Sequence, residues 1–398
     1  MIVNNARALS DTLGFEQKSS SLTDADKKNL NDIEQSIKSA FKQEEKLNKA
    51  LPFTNSEPSP FQTLATFAAH QKEVVRSMVG LSSESAIASA LAGSIEAYSK
   101  QLELIQGWTN GGVAMFESAL WLMLDDIKQG GVQPEELEDL LQIALLEVMI
   151  NPEKYGLEDW YNLNKEDISH ILESTGSGSH GLHEDAYNTP KKLADITRKL
   201  YEGILSNGNI PQGSLLGQAM DSLDAAGGVN QLCGQIENNY YDNYGWWDST
   251  GITELSPMLR LFILSESLNQ HETMTQKEVE MILNGSIADI DNYINKTFGP
   301  GSAGPLTTLS WFLDSTQWQL QTGYGYPNGK NTQIDWTGDG ININDLASLY
   351  NNFPGRELND EDIKEINRIG DQVKMIQQTL KYWIQICRDE LMAFARNN

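Results

Sequence analysis

The chain has 398 residues, of which 39% are hydrophobic and 21% are charged, and it contains 9 tryptophans. A chain of this length and composition folds into about two to three domains, which excludes wholesale disorder. Its formal net charge of -26 repels nucleic-acid phosphates and anionic lipid headgroups, so we expect no nucleic-acid partner.

The sequence of residues 1–22 predicts a flexible N-terminus of the kind that directs secretion. The segment is polar and lacks the basic and apolar stretches of a Sec signal peptide. No apolar run approaches the ~18 residues that cross a bilayer, so we expect no membrane span. The two cysteines, Cys233 and Cys387, do not form the pattern of a disulfide framework, and the sequence leaves their redox state open.

Residues 23–80 predict a helical hairpin. Thr23 is a typical N-cap residue, and the acidic residues after it suit the positive end of a helix dipole. Apolar residues then recur at helical spacing up to a proline-rich turn, and a second helix is predicted from Phe61 to Val79. The apolar positions of the first helix are Leu30, Ile33, Ile37, Phe41 and Leu47.

Residues 81–150 predict one long amphipathic helix and two shorter core helices. The long helix covers Ser85 to Gln106 and ends at the glycines between residues 107 and 112. The two core helices are predicted from Val113 to Ile127 and from Pro134 to Ile150. The narrow apolar stripe of the long helix consists of Ile87, Leu91, Ile95, Tyr98, Leu102 and Ile105.

Residues 151–357 predict an inserted, mostly helical domain with long irregular loops and a few short strands. Glycine, asparagine and aromatic clusters separate its segments, and helices are predicted over 165–173, 190–205, 256–268 and 275–293. The aromatic residues either fill a core or line a surface that binds a small host ligand such as a sugar or a sterol. They are Tyr240, Tyr241, Tyr244, Trp246, Trp247, Trp311, Trp318, Tyr324, Tyr326 and Trp336.

The segment from Ile334 to Asp345 has the oxygen-ligand order of a calcium loop. Its candidate ligands are the side chains of Asp335, Thr337, Asp339 and Asp345 and the main-chain carbonyl of Ile341. The loop is one residue shorter than an EF-hand loop. Calcium binding is therefore one interpretation, and a tight Asp/Gly turn that caps a helix starting near Asn344 is the other.

The last predicted helix runs from Asp360 to Arg396, capped by Asn359 or Asp360. At ~1.5 Å per residue it is about 55 Å long, and its apolar residues follow a heptad pattern. This pattern predicts a coiled coil with the Ser85 to Gln106 helix, although an ordinary long core helix is the other interpretation. The "a" positions are Ile366, Val373, Leu380, Cys387 and Phe394; the "d" positions are Ile369, Ile376, Trp383 and, one step late, Leu391.

This order of elements resembles the hydrophilic translocators, or needle-tip proteins, of bacterial type III secretion systems. The shared features are a helical hairpin, a long helix, an interposed domain and a last long amphipathic helix. The resemblance implies a mainly α fold closed by a coiled coil, secretion to the bacterial cell surface and self-assembly at the needle end. It also implies a virulence role, with the needle subunit and the hydrophobic, pore-forming translocators as partners.

The function expected from the sequence is therefore structural and not enzymatic. No Ser/His/Asp, Cys/His or paired-carboxylate arrangement can be assembled from the spacing of the residues. No cofactor is expected apart from the possible calcium ion. The alternative function is an exported effector or a carbohydrate-active or carbohydrate-binding protein, with an aromatic-lined cleft and a calcium-stabilised fold.

Overall fold

The computed structural model describes residues 83–134, 136–177, 189–211, 213–239, 254–299, 305–313, 316–323, 331–338 and 340–397. Over these ranges the chain is mainly α-helical, as the sequence predicts, with one two-stranded antiparallel sheet. The predicted N-terminal segment (1–22) and helical hairpin (23–80) lie outside the described residues. Among the helices described, none is both long enough and apolar enough to cross a membrane.

The helices are α1 (Ser83–Asn110), α2 (Gly112–Gly130), α3 (Glu136–Ile150), α4 (Glu158–Ser174), α5 (Pro190–Asn207), α6 (Leu215–Ala225), α7 (Gly228–Asn239), α8 (Pro257–Gln270), α9 (Gln276–Asn284), α10 (Ile287–Phe298), α11 (Pro305–Phe312), α12 (Ile343–Asn351) and α13 (Asp360–Asn397). A short 3-10 helix, Glu153–Tyr155, follows α3. The strands are β1 (Trp318–Gly323) and β2 (Asn331–Trp336), paired with Trp318 opposite Trp336.

The chain forms two compact units. The first unit contains the described residues before Leu104 together with Ile363–Asn398, and the second unit is Leu104–Asp362. The sequence placed residues 104–150 with the coiled-coil helices, but α2 and α3 belong to the second unit. The physical reason is packing, because α2 contacts α3, α6, α8, α9 and α12, all of which lie inside that unit.

Helix α3 is the centre of the second unit. Its residues from Leu137 to Met149 are all buried, and it packs against α2, α4, α6 and α8. Buried polar groups on such a helix need hydrogen-bond partners. The Gln142 side-chain amide donates to the carbonyls of Leu172 (3.0 Å) and Thr175 (2.6 Å), and its oxygen accepts from the Met258 amide (3.2 Å). Gln142 therefore joins the end of α4 to the start of α8.

Two buried acids in the first turn of α3 hold the turn that follows α4. Asp139 accepts hydrogen bonds from the backbone amide (2.8 Å) and the hydroxyl (2.6 Å) of Ser177. Glu138 accepts from the Gly176 amide and from the Gln235 side chain, both at 3.0 Å. Burial raises the pKa of Asp139 to about 7, although the two hydrogen bonds from Ser177 oppose the shift.

Helix α1 does not end at Gly107, as the sequence predicted, but continues to Asn110. Gly107 is buried, and a Cβ atom there would lie 2.1 Å from the Ser118 Oγ of α2. The glycine is therefore needed for the close approach of two helices and not for a chain break. The chain turns at Gly111, whose φ of 65° is in the left-handed region that favours glycine.

The single helix predicted over 275–293 is in fact two helices, α9 and α10. Each begins with a reciprocal capping box, formed by Thr275 with Glu278 and by Ser286 with Asp289. Between them, Gly285 lies so close to the Met281 carbonyl that a Cβ would approach it to 2.4 Å. Local capping therefore overrides an apolar periodicity that continues across the junction.

A buried arginine fixes the start of α13 inside the second unit. The Arg356 guanidinium donates two hydrogen bonds of 2.9 Å to the Asp362 carboxylate and one of 2.9 Å to the Met274 carbonyl. It also lies 5.0 Å from the centre of the Trp108 ring, close enough for a cation–π interaction. The Arg356 amide donates to the Trp108 carbonyl at 2.5 Å, so the chain enters and leaves this unit at adjacent positions.

Candidate assembly surface

Helix α13 is continuous for 38 residues, from Asp360 to Asn397, in agreement with the range predicted from the sequence. Asn359 caps it, because its side-chain oxygen accepts hydrogen bonds from the amides of Glu361 (2.9 Å) and Asp362 (3.0 Å). Asp362 completes the cap by accepting from the Asn359 amide at 2.8 Å. At ~1.5 Å per residue the helix is about 57 Å long.

One side of α13 is a buried apolar stripe, but its register differs from the predicted heptad. Among the predicted "d" residues, Ile369 is buried, whereas Ile376 and Trp383 are only half-buried. Ile366, at an "a" position, is half-buried as well. The side chains of Leu391 and Phe394 lie outside the described residues. The stripe consists of Ile369, Gly370, Val373, Gln377, Leu380, Ile384 and Cys387.

The stripe moves from the "d" to the "e" positions because α13 keeps the period of a straight helix. An α-helix of 3.6 residues per turn drifts by ~20° per heptad relative to a repeat of 3.5 residues. Residues 377 and 384 therefore replace residues 376 and 383 on the buried side. The placement of Leu391 one step late in the sequence pattern already indicated this drift, since 391 continues the series 370, 377 and 384.

Tyr98 of α1 lies near enough to Arg368 of α13 to act on its charge. The hydrogen bonds to Glu365 are the main cause that raises the pKa of Arg368, which stays a cation. The fully buried residues of α1 include Ala88, Ala92 and Ile95, whereas Ile87 is 39% exposed, so the predicted stripe of α1 is offset. Small alanine side chains suit close packing of a helix. A coiled coil of α1 with α13 stays a prediction.

The opposite side of α13 exposes two large apolar side chains. Met375 is 61% exposed and Tyr382 is 63% exposed. They are seven residues apart, so they lie on one face about two turns from each other. Each follows a lysine, Lys374 or Lys381, and none of these four residues belongs to the heptad pattern of the sequence. We call this exposed face the α13 face.

The residues of the predicted calcium loop lie between β2 and α12. Asp335 and Ile341 are buried, Thr337 is exposed, Asp345 is in the first turn of α12 and Asp339 lies outside the described residues. The Thr337 hydroxyl donates to the Thr316 carbonyl at 3.0 Å.

The Ile341 carbonyl accepts from the Ser169 hydroxyl at 2.5 Å. Asn342 caps α12, which starts at Ile343, one residue before the predicted start near Asn344. These hydrogen bonds are those of a structural turn. Within the described part of the chain, no group of three or more His, Cys, Asp or Glu side chains is arranged to hold a metal ion. Calcium binding stays a prediction.

Two of the predicted aromatic candidates form part of the core. Trp318 and Trp336 are buried opposite each other in the sheet, and their ring centres are 5.2 Å apart. Both contact Phe262 of α8, at 5.1 and 5.9 Å. Trp311 is 57% exposed, and the other candidates, Tyr240, Tyr241, Tyr244, Trp246, Trp247, Tyr324 and Tyr326, lie outside the described residues.

The two cysteines do not form a disulfide with each other. Both are buried, and burial raises the pKa of the Cys233 thiol to about 11, which disfavours the reactive thiolate.

Comparisons with known proteins give no relative for this chain. No protein-family model matches the sequence, and neither a curated protein nor a solved structure is similar to it.

Proposed function

We propose that this chain is a non-catalytic structural protein that self-assembles through α13. The observation that carries the proposal is that α13 has apolar side chains on two sides. One side is buried within the chain, and the other exposes Met375 and Tyr382 to solvent. Single exposed apolar residues are common on protein surfaces, but two large ones that share one face of a long helix are typical of an interaction surface.

The kind of assembly that we propose is the tip of a bacterial type III secretion needle. The layout supports it, because a compact inserted unit, Leu104–Asp362, separates the long helices α1 and α13 in the sequence. In this proposal the chain is secreted to the bacterial cell surface and acts as the hydrophilic translocator. Its partners are further copies of itself, the needle subunit and the pore-forming translocators.

The test removes the exposed apolar side chains without changing charge or the buried stripe. The variant Met375→Ser with Tyr382→Ser is compared with Gln378→Ser with Thr379→Ser, which changes two exposed polar residues on the same side of α13. Burying a Met or Tyr side chain contributes about 1.5–3 kcal/mol, so the first variant should associate at least about tenfold more weakly. Sedimentation velocity over a concentration series measures the association.

The control should associate as the wild type does, and both variants should keep the wild-type circular dichroism and unfolding temperature. Wild-type association by the Met375→Ser, Tyr382→Ser variant would show that α13 does not assemble through this face. A wild-type chain that stays monomeric at every concentration would contradict self-assembly as a whole.

A further inference from the structure

The turn after α4 is held at two consecutive residues by two consecutive acids of α3. The Gly176 amide donates to Glu138, and the amide and hydroxyl of Ser177 donate to Asp139. All four residues are buried. We call them the α3–α4 clasp, because their hydrogen bonds join the first turn of α3 to the backbone that follows α4.

The clasp is packed closely enough to keep water from its carboxylates. Gly176 has a φ of 100°, and a Cβ atom there would lie 2.7 Å from both the Gln142 Nε2 atom and the Ser256 Cβ atom. The turn therefore fills the space between α3 and the residue that caps α8. With the turn in place Asp139 is only 6% exposed, so its carboxylate is hydrated freely only when the turn moves away.

The positive charge of Arg260 on α8 acts on Asp139 through space. The Nε and Nη1 atoms of this guanidinium donate to backbone carbonyls, and its Nη2 atom donates to the Glu254 carboxylate at 2.7 Å. None of these bonds is directed at Asp139. Burial therefore decides the balance and raises the pKa of Asp139 to about 7, although the hydrogen bonds from Ser177 and the charge of Arg260 oppose the shift.

Acidic residues of the neighbouring elements lie around the clasp and Arg260. A carboxylate close to other carboxylates gains from taking up a proton, because like charges at short range repel each other. Protonation of Asp139 therefore relieves repulsion as well as the cost of burial. The acidic neighbours are Glu136 and Glu138 of α3, Asp126 of α2, Glu254 before α8 and Glu173 of α4.

We propose that the α3–α4 clasp is a pH-sensitive device, which closes tightly in acid and opens locally as the pH rises to neutral. An open turn hydrates Asp139 and returns its pKa to about 4, the value of a solvated aspartate. The stability of the closed turn is therefore fully present below about pH 4 and is lost as the pH rises to about 7.

The opening is local because a separate contact holds the end of α4. The Gln142 side chain donates to the carbonyls of Leu172 and Thr175, and neither bond involves a group that titrates. Release of residues 176 and 177 therefore leaves the last turn of α4 on α3. The clasp acts within one chain, so this inference does not rest on the proposed function.

Hydrogen exchange measured by NMR spectroscopy tests the proposal on the full chain, labelled with the heavy nitrogen isotope at glycine and serine. After correction for the intrinsic exchange rate, the protection of the Gly176 and Ser177 amides should fall about tenfold or more between pH 5 and pH 7. The Gly208 amide is the control. It donates to the Ile204 carbonyl at the end of α5 (2.9 Å), and its protection should stay constant.

Two variants separate the titration from the simple loss of a contact. Asp139→Asn cannot ionise but keeps an oxygen that accepts from the Ser177 amide, so its protection should not depend on pH. Ser177→Ala loses the hydroxyl donor but keeps the carboxylate. It should therefore lower protection at every pH and retain the wild-type pH dependence.

Constant protection of Gly176 and Ser177 in the wild type between pH 5 and pH 7 would overturn the proposal. So would an unchanged pH dependence in Asp139→Asn, since another group would then be the one that titrates. A Ser177→Ala chain without pH dependence would assign the effect to the hydroxyl instead. An equal fall at Gly208 would show that the opening is not confined to the clasp, which also contradicts the proposal.

Discussion

At the scale of single residues, Gln377 is the polar exception in the buried stripe of α13. It is 4% exposed, and in the described part of the chain its side-chain nitrogen has no hydrogen-bond partner. A buried amide without a partner costs about 1–3 kcal/mol relative to a satisfied one. We therefore expect Gln377→Leu to raise the free energy of unfolding by about 1 kcal/mol.

Urea unfolding followed by circular dichroism measures this change. Gln378→Leu is the matched control, because Gln378 is the neighbouring glutamine and is exposed. The control should change stability by less than about 0.5 kcal/mol. A loss of stability in Gln377→Leu would mean that the amide has a role in the stripe.

Asp139 predicts a pH dependence of stability. Its pKa is about 7 in the folded chain and about 4 in an unfolded one, so the folded state binds the proton more tightly. The stability that this proton contributes is fully present below about pH 4, and it is lost as the pH rises to about 7. The groups that face Asp139 are Ser177, Arg260 and Glu136, of which Arg260 favours the charged form.

Asp139→Asn removes this titration but keeps an oxygen that can accept from the Ser177 amide. We therefore compare the free energy of unfolding of the variant minus that of the wild type. This difference should be larger at pH 8 than at pH 5, by up to ~1.4 kcal/mol for each unit of pKa shift. Urea unfolding of both proteins at the two pH values gives the comparison. Asp195→Asn, at an exposed position, should show no such change, and an equal difference at both pH values would contradict the prediction.

At the scale of elements, the sequence predicted the long helices well because they repeat one pattern over many turns. The range of α13 was predicted to within one residue, and Asn359 is its cap. The junction of α9 and α10 was missed, because apolar residues continue through it and only the Ser286 to Asp289 capping box separates the helices. The capping box was present in the sequence, but it was a weaker signal than the helical spacing of the apolar residues.

The candidate assembly surface was harder to predict than the helix that carries it. The heptad pattern left Met375 outside the stripe and placed Trp383 in it, but a pattern does not indicate how deeply a residue is buried or what an exposed residue contacts. The structure exposes the first and half-buries the second. A heptad assignment also imposes a period of 3.5 on a helix that keeps 3.6, which placed residues 376 and 383 on the buried side incorrectly.

Asp362 should be essential for the start of α13. It is the ionic partner of the fully buried Arg356, and Asp362→Ala would leave that guanidinium charge buried without a carboxylate. Breaking a buried ion pair in this way costs about 3–5 kcal/mol. The control Asp360→Ala, at an exposed position in the same turn, should cost less than about 1 kcal/mol. Thermal and urea unfolding measure both, and equal losses would contradict the role of the ion pair.

At the scale of the whole molecule, the concentration of acidic residues in Leu104–Asp362 should make stability depend on salt. That unit has 38 acidic and 12 basic residues, which gives it a net charge of -26. Such a charge destabilises its folded state through self-repulsion, and salt screens that repulsion. We expect the unfolding temperature to rise between about 20 mM and about 500 mM NaCl at pH 7, as scanning calorimetry would show. A constant or falling temperature would mean that local ion pairs outweigh the repulsion.

The hydrogen bond between the Arg356 amide and the Trp108 carbonyl brings together the two ends of the polypeptide that lies between these residues. Loops of this intervening chain that do not contact Arg356, as Met274 does, can change in length without altering the spacing of the two chain segments at its base. Variation in sequence and loop length should therefore accumulate between Trp108 and Arg356. A protein engineer could graft a foreign domain at the same two positions.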